Sequence, residues 1–365
     1  MYILGIESSC DDTSVALLQC SEQGCFILAE KTASQIEIHK KYGGVVPEMA
    51  GRLHAEKIVP LLEAVLKGQP KPEVLAITYG PGLITGLIVG TEATRVLSYA
   101  LDLPIVNINH LEGHIHSVEI LKSKSSVSDQ PTNKIQYPAL ALIVSGGHTE
   151  LVYIKNQGEY KILGKTKDDA AGECFDKVAK LLNLPYPGGP QISRLAATGR
   201  TDAVTFPRPM IHENSYNFSF AGLKTSALYW LRDNKLSALN TGLGIFNILN
   251  LWDRFALPKP AVTREDFFAS FEQAIIDVLI FKTLKAAAEY QPQTIILAGG
   301  VSANQKLREA LKKSIKNCEL LVPELPYCMD NAAMIAIAGY YKAQKKDFTP
   351  WPELIPNSNW ELAFS

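Results

Sequence analysis

Met1-Tyr2-Ile3-Leu4-Gly5-Ile6-Glu7-Ser8-Ser9-Cys10-Asp11-Asp12 begins the chain, and the run after it returns to apolar residues at 15–20 and again at 26–32. Short β-rich runs separated by small polar turns read as an antiparallel meander. The same plan recurs further on. Residues 139–144 form an apolar run, Ser145-Gly146-Gly147-His148 a tight turn, 149–154 the returning run and 160–164 a third. Each meander leads into helix and strand units. After the first come a helix over 46–66 with Ile58, Leu62, Val65 and Leu66 at helical spacing, a strand at 74–78, a helix over 83–101, a strand at 105–108 and a short helix starting near His110. Pro60 is expected to kink the 46–66 helix or split it in two. After the second come a helix over 170–182, a strand at 294–297 and a helix over 304–314. A repeat this long implies two related lobes with a cleft between them rather than a solenoid.

The boundaries that follow are an N-terminal lobe over 1–117, a C-terminal lobe over 118–330, a helix over 331–345 that returns to the first lobe, and a tail over 346–365. The tail holds too much proline for a helix. Two stretches read as insertions, 122–136 and 233–262, and the second is rich in Asn, Leu and Pro.

The composition excludes several classes. No apolar run is long enough to cross a bilayer, and the first residues lack the basic region of a signal peptide. The six cysteines are scattered without a Cys-x-x-Cys pair, which argues against a zinc ribbon or a disulfide framework and for a cytoplasmic setting. A formal net charge of −1 leaves no global footprint for nucleic acid. RNA binding would use local patches, with Lys40, Lys41, Arg52 and Lys57 or Arg194, Arg200, Arg208 and Lys224 as candidates, or a partner subunit.

Two turns, over 5–12 and 144–148, present successive backbone N–H groups with little side-chain bulk, a form that cradles phosphate. Ala298-Gly299-Gly300 before a helix adds a third close-approach site, so a nucleotide in the interlobe cleft is expected. In His110-Leu111-Glu112-Gly113-His114 the histidines share a helix face, so both imidazoles can reach one ion. Glu112 sits two residues after His110 and points away, so this is no zincin protease motif, and His116 lies off the face too. Asp330, in Tyr327-Cys328-Met329-Asp330-Asn331, is the best candidate for a carboxylate ligand. It could equally be the N-cap of the following helix, and the residues alone leave both open.

These motifs resemble the tRNA adenosine threonylcarbamoyltransferases, the TsaD-like proteins once called O-sialoglycoprotein endopeptidases. The likeness covers about residues 4–345. It runs through Gly5-Ile6-Glu7-Ser8-Ser9-Cys10-Asp11, Tyr42-Gly43-Gly44-Val45-Val46-Pro47-Glu48, Gly80-Pro81-Gly82-Leu83, residues 110–114, Val144-Ser145-Gly146-Gly147-His148-Thr149, Phe175-Asp176-Lys177, Tyr186-Pro187-Gly188-Gly189-Pro190 and Gly299-Gly300-Val301-Ser302-Ala303-Asn304. The resemblance implies an α/β actin-like ATPase (ASKHA) fold. It implies that His110, His114 and Asp330 hold one divalent ion per subunit, Fe2+ or Zn2+. It implies further that Ile143, Val144, Ser145, Gly146, Gly147, Asp176, Gly189 and Asn304 hold threonylcarbamoyl-AMP. The reaction implied moves the threonylcarbamoyl group to N6 of the adenosine 3′ of the anticodon, in tRNAs reading codons that begin with A, and releases AMP. Asp11 is the residue expected to assist the amine, the alternative being that it only shapes the first turn. A TsaB-like paralogue and a TsaE-like ATPase are the partners implied, with no membrane.

The chain departs from the family at Asp12, where Glu is commoner, at Ala221 in Phe-Ser-Phe-Ala-Gly-Leu-Lys, where Ser is usual, and in the 233–262 insertion. The competing readings are a small-molecule kinase of the same fold, which has no use for a two-histidine helix, and a non-catalytic paralogue, which has no reason to keep the ligands.

Overall fold

In a computed structural model that describes residues 1–121, 134–234 and 262–362, the chain folds around two sheets. The first half runs β1 (Tyr2–Glu7), β2 (Asp12–Ser21), β3 (Gly24–Ser34), α1 (Ile36–His39), α2 (Pro47–Leu66), β4 (Val74–Gly80), α3 (Ile84–Leu101), β5 (Ile105–Asn109), α4 (His110–His116) and β6 (Ile120–Leu121). The second runs β7 (Ala139–Val144), β8 (Thr149–Ile154), β9 (Tyr160–Lys165), α5 (Ala171–Leu181), α6 (Gly188–Ala196), α7 (Ala221–Asp233), α8 (Arg264–Tyr290), β10 (Thr294–Ala298), α9 (Gln305–Ser314) and β11 (Glu319–Leu321), with α10 (Ala332–Gln344) last. Strand order is β5-β4-β1-β2-β3-β6 in one sheet and β11-β10-β7-β8-β9 in the other. Each sheet is thus an antiparallel meander extended, beside its first strand, by two parallel strands. The actin-like ATPase fold is built on this doubled plan.

Side chains alternate across each sheet, and both faces are covered. In the first, Ile3, Ala76 and Val106 pack under α10, while Leu4, Ile6, Leu75 and Ile77 face Ile58, Leu62 and Val65 of α2. In the second, Leu140, Leu142 and Ile295 meet α5 and α8, while Ala141, Ile143 and Ile296 meet Leu111 and Ile115 of α4. Helix α4 therefore belongs to the first half by connection and to the second sheet by packing, and it also touches α10. Helix α10 is buried from Ala332 to Tyr340 on every side. It reaches this position because Gly5 has no side chain: a Cβ there would run into the carbonyl oxygen of Ala332.

Two expectations need correction. Helix α2 is one helix with Pro60 inside it, so the proline does not split it in two. The missing N–H costs one hydrogen bond, and burial of Ile58, Leu62 and Val65 on either side keeps the helix continuous. Cys20 and Cys25 face each other in the β2–β3 register and form a disulfide, so the scattered cysteines are not all free. Five residues of separation hid a cross-strand pair, because the hairpin turn between them is so tight. Helices α6, α7 and α8 carry no expectation above. Helix α8 buries Phe267, Phe268, Ala269, Ser270 and Phe271 in succession, and a helix covered on all sides shows no 3.6-residue stripe to read.

The tail over 346–362 contains one 3-10 turn, Trp351–Glu353, and no α-helix. The 122–136 and 233–262 insertions lie almost wholly outside the described residues. Among those described, no helix is long and apolar enough to cross a membrane.

Candidate active site

The loop after β5 turns straight into α4. Asn109 caps it, its Oδ1 accepting from Leu111 N at 2.9 Å, so His110 and His114 lie one helical turn apart on the same face. Their rings meet edge-on with centroids 4.6 Å apart. From the other side α10 brings in Asp330. Its Oδ1 is 3.1 Å from His114 Nε2 and 3.5 Å from His110 Nε2. The donor atoms of these three residues all lie within 4.8 Å of one another. The N-cap alternative for Asp330 is removed, because Asn331 caps α10 by accepting from Met334 N at 2.9 Å.

Two observations test whether a cation fits here. His114 Nδ1 is buried with no hydrogen-bond partner, and the equally buried Nε2 faces only the Asp330 carboxylate, a costly state for an imidazole. The donor set, two imidazoles and one carboxylate, suits a divalent transition metal with positions left open for substrate. The residues fit the group.

The other nitrogen of His110 is held from behind. Its Nδ1 is 3.1 Å from Glu7 Oε2 and shares a hydrogen bond of 3.1 Å with Ser9 Oγ. Glu7 is itself fixed, accepting from Ser9 N and from Thr78 Oγ1, each at 2.5 Å. This is the carboxylate–histidine arrangement that orients a metal ligand and sets its tautomer. Burial opposes the charge on Glu7 and Asp330, but the neighbouring His110 outweighs it and holds both carboxyls below the ordinary range, with His114 adding to the effect on Asp330. Asp330 and Glu7 in turn hold His110 well above the usual imidazole value despite its burial.

Asp11 and Asp12 follow in the same turn. Burial, then the Asp330 charge, raises Asp11. Burial chiefly, with the charges of Asp11, Asp330 and Glu7 added, pushes Asp12 up to about 7, and its Oδ1 has no hydrogen-bond partner.

The second-half turn is built differently. Ser145 N donates to His148 O at 2.8 Å and Ser145 Oγ accepts from His148 N at 3.0 Å, which closes the loop. Gly146 and Gly147 look out on open space, where a Cβ would meet nothing within 4 Å. Ile143 and Val144 lie fully buried behind it. Gly299, at φ +85°, lets the loop after β10 approach so closely that a Cβ would sit 2.5 Å from Val144 O. A Cβ on Gly300 would meet Met329 Sδ at 3.2 Å, so the segment bearing Asp330 rests beside this turn. Burial and the nearby His110 and His114 push His148 down to about 4, which keeps it neutral.

Asp176 Oδ1 accepts from Gly188 N at 2.7 Å and so draws the start of α6, with Gly189, against α5. Burial raises Asp176 to about 6 against the pull of these N–H groups. Asn304 is fully engaged. Its Oδ1 caps α9 at Leu307 N, and its Nδ2 donates to Glu272 Oε1 at 2.7 Å and to Ser193 Oγ at 2.9 Å. Any contact from Asn304 to a ligand is thus left to its carbonyl lone pairs and backbone.

The structure gathers His110, His114 and Asp330 into one cluster with Asp11 nearby. It gathers residues 143–147, Asp176, Gly189 and Asn304 around α5, α6 and the Gly299 loop. Glu7, Ser9 and His148 were anticipated only as members of the two turns and not for their side chains, and Ser193 and Glu272 were not anticipated at all. For Glu7 the available signal was a carboxylate closing a buried strand.

Residues 26–337 match the model of the family TsaD, tRNA N6-adenosine threonylcarbamoyltransferase. The tRNA N6-adenosine threonylcarbamoyltransferase of Bacillus subtilis (strain 168) is 42% identical over 352 residues, covering 94% of this chain and 91% of that protein. Among solved structures, HypF of T. kodakarensis aligns with a TM-score of 0.59 at 12% identity, over 97% of this chain and 49% of that one. The activator of the 2-hydroxyisocaproyl-CoA dehydratase from Clostridium difficile aligns with a TM-score of 0.50 at 15% identity, over 96% and 99%. Such distant likenesses bear on the fold alone.

Proposed function

The chain belongs to the TsaD family of tRNA N6-adenosine threonylcarbamoyltransferases, and from that premise we propose how its residues carry out the transfer. The enzyme is an acyltransferase that modifies tRNA. Threonylcarbamoyl-AMP is the donor and N6 of the adenosine 3′ of the anticodon is the acceptor. The observation that carries the reading is the meeting of His110, His114 and Asp330 beside the open Gly146–Gly147 turn.

An adenine amine is a weak nucleophile because its lone pair is delocalised into the ring. Rate must therefore come from positioning and from stabilising charge. Backbone N–H groups of Gly146 and Gly147 hold the phosphate of the donor, in a turn that Ser145 N closes by donating to His148 O, and Asp176 with Gly189 and Asn304 locate its nucleoside. N6 attacks the carbamoyl carbon, the C–N bond forms, and the bond from that carbon to the phosphate oxygen breaks to release AMP. Asp11, its pKa raised by burial, takes the proton that N6 loses. Glu7 and Ser9 hold His110 in the orientation that exposes Nε2. His110, His114 and Asp330 would hold a divalent ion, iron or zinc, which when bound would supply positive charge to polarise the carbonyl.

A TsaB-like paralogue and a TsaE-like ATPase are the partners this reading names, and a tRNA substrate sets the work in the cytoplasm. The groove between α2 and α3, about 1000 Å³ and lined by Ile58, Val59, Leu62, Ile88, Val96 and Leu97, favours the paralogue as its occupant. Val59, Ile88 and Val96 are exposed there, which is unusual for a monomer surface. A chain carrying Val59→Glu and Ile88→Glu is expected to elute alone where the native chain co-elutes with the paralogue.

The transfer is tested by supplying threonylcarbamoyl-AMP, unmodified tRNA and both partner proteins, then analysing nucleosides by mass spectrometry. Threonylcarbamoyladenosine from the native enzyme but not from His110→Ala supports both the reaction and the metal helix. No product from either, with partners known to be active, rejects the assignment of substrates.

A further inference from the structure

Segment 346–362 and the Gly80-Pro81-Gly82 loop have no task in the transfer just described, yet they meet beside His110. Thr349 N donates to Ile105 O at 2.8 Å, which adds the segment to the free edge of β5. Leu354 is fully buried among Leu4, Ile6 and Ile58. The chain then crosses the loop after β4: Asn357 N donates to Tyr79 O at 2.9 Å, and Gly82 N donates to Ser358 O at 3.3 Å. A Cβ on Gly80 would run into the carbonyl oxygen of Asn357, so this crossing needs that glycine. The Trp360 ring stands edge-on to Tyr79 at 5.1 Å, with the Lys342 ammonium 5.2 Å from its centroid. Finally Glu361 pairs with Lys165 of the second sheet at 2.5 Å, and Leu362 is buried with Leu111, Ile115 and Ile143.

From this segment two chains of contact lead to one imidazole. Trp360 O accepts from Asn109 Nδ2 at 3.0 Å, and Asn109 is the buried cap whose next residue is His110. On the other side, Gly82 packs so tightly on Ser9 that a Cβ would lie 2.7 Å from its carbonyl oxygen, and Leu83 N donates to that oxygen at 2.7 Å. Ser9 Oγ is the group that holds His110 Nδ1. Helix α4 has seven residues, too few to stand without tertiary support. Without Trp360 O the buried amide of Asn109 would lack an acceptor.

We propose that residues 357–362 are a positioning strap for the metal-bearing helix. They fix the start of α4, and so the aim of His110, and they tie it to the second sheet through Glu361 and Leu362. The role in catalysis rests on the metal reading given above. The mechanical role does not.

The experiment compares the full chain with a chain ending at Pro356, which keeps Thr349 and Leu354 in place. Zn2+ affinity is measured by competition with a chromogenic chelator, and backbone amide exchange is followed by mass spectrometry. The shortened chain is expected to melt cooperatively, to bind Zn2+ about 10- to 100-fold more weakly, as for loss of a ligand-orienting contact, and to exchange faster over 110–116 while 47–66 is unchanged. Unchanged affinity and unchanged exchange over 110–116 would overturn the proposal. So would a uniform rise in exchange across the first half, which marks a general stabiliser. If the shortened chain does not fold, full-length Trp360→Ala decides by the same two readouts, with Trp360→Phe expected to restore them. Should the full chain bind no Zn2+ or Co2+ at all, the metal reading fails, and exchange over 110–116 still judges the strap.

Discussion

The turn from β1 to β2 and the turn from β7 to β8 occupy the same place in two sheets of matching strand order. They are built of opposite materials. The first is crowded and acidic: Glu7, Ser8, Ser9 and Asp12 are buried, and the side chains of Glu7 and Ser9 hold a histidine of α4. The second is open on one side, where a Cβ on Gly146 or Gly147 would meet nothing within 4 Å. A duplicated architecture has thus been divided, one copy lined by carboxylates and imidazoles and the other by an open glycine turn. The lesson is that a shared turn geometry does not fix a shared ligand. What decides is the side chains that the neighbouring element brings in, α4 in one case and the Gly299 loop in the other.

If this division holds, damage to the two turns should separate. The largest effect is expected from His114→Ala, which removes a ligand with no other bonding role. Metal content, read by elemental analysis, should fall to background together with product, while the melting curve keeps its shape. Gly147→Val should leave Zn2+ affinity unchanged but lower kcat/KM by about 10²-fold, the scale of a small misplacement of substrate. Equal loss of metal in that variant would break the comparison. Glu7→Gln keeps the shape but not the charge behind His110, and about 10- to 100-fold weaker metal binding is expected in a chelator competition.

The smallest effect concerns pH and the second half. The carboxyl of Asp176 titrates near 6 in the folded chain and near the ordinary carboxylate value when unfolded. Between these values the folded state keeps a proton that the unfolded state has released, so this residue's contribution to stability falls as pH rises through the window. Asp176→Asn removes that loss. Its melting temperature relative to the native chain should rise from about pH 4 to about pH 6 and then level off. A difference that does not vary with pH would show that Asp176 is not held protonated.

Much of this was legible beforehand, for identifiable reasons. The strands could be read because buried apolar runs end in small polar turns, as at Ser145-Gly146-Gly147-His148. The shared face of His110 and His114 on α4 could be read because four residues make about one helical turn. Asp330 was legible only as one of two alternatives, since its neighbour Asn331 can cap as well as it can. Glu7 was not legible: its partner His110 lies 103 residues away, and a lone carboxylate after an apolar run looks like the end of a strand. The resemblance gives Asn304 a place at the donor, and its bonds to Leu307, Glu272 and Ser193, which no local pattern announces, take most of its polar capacity. Helix α8 escaped because uniform burial leaves no period.

The most direct test of a metal in one half facing a substrate in the other is X-ray absorption on protein loaded with one equivalent of Zn2+, recorded before and after threonylcarbamoyl-AMP is added. The account predicts scattering from two imidazoles and one carboxylate in the free enzyme, and a changed first shell once the donor is bound. A shell without imidazole, or one indifferent to the donor, would contradict it.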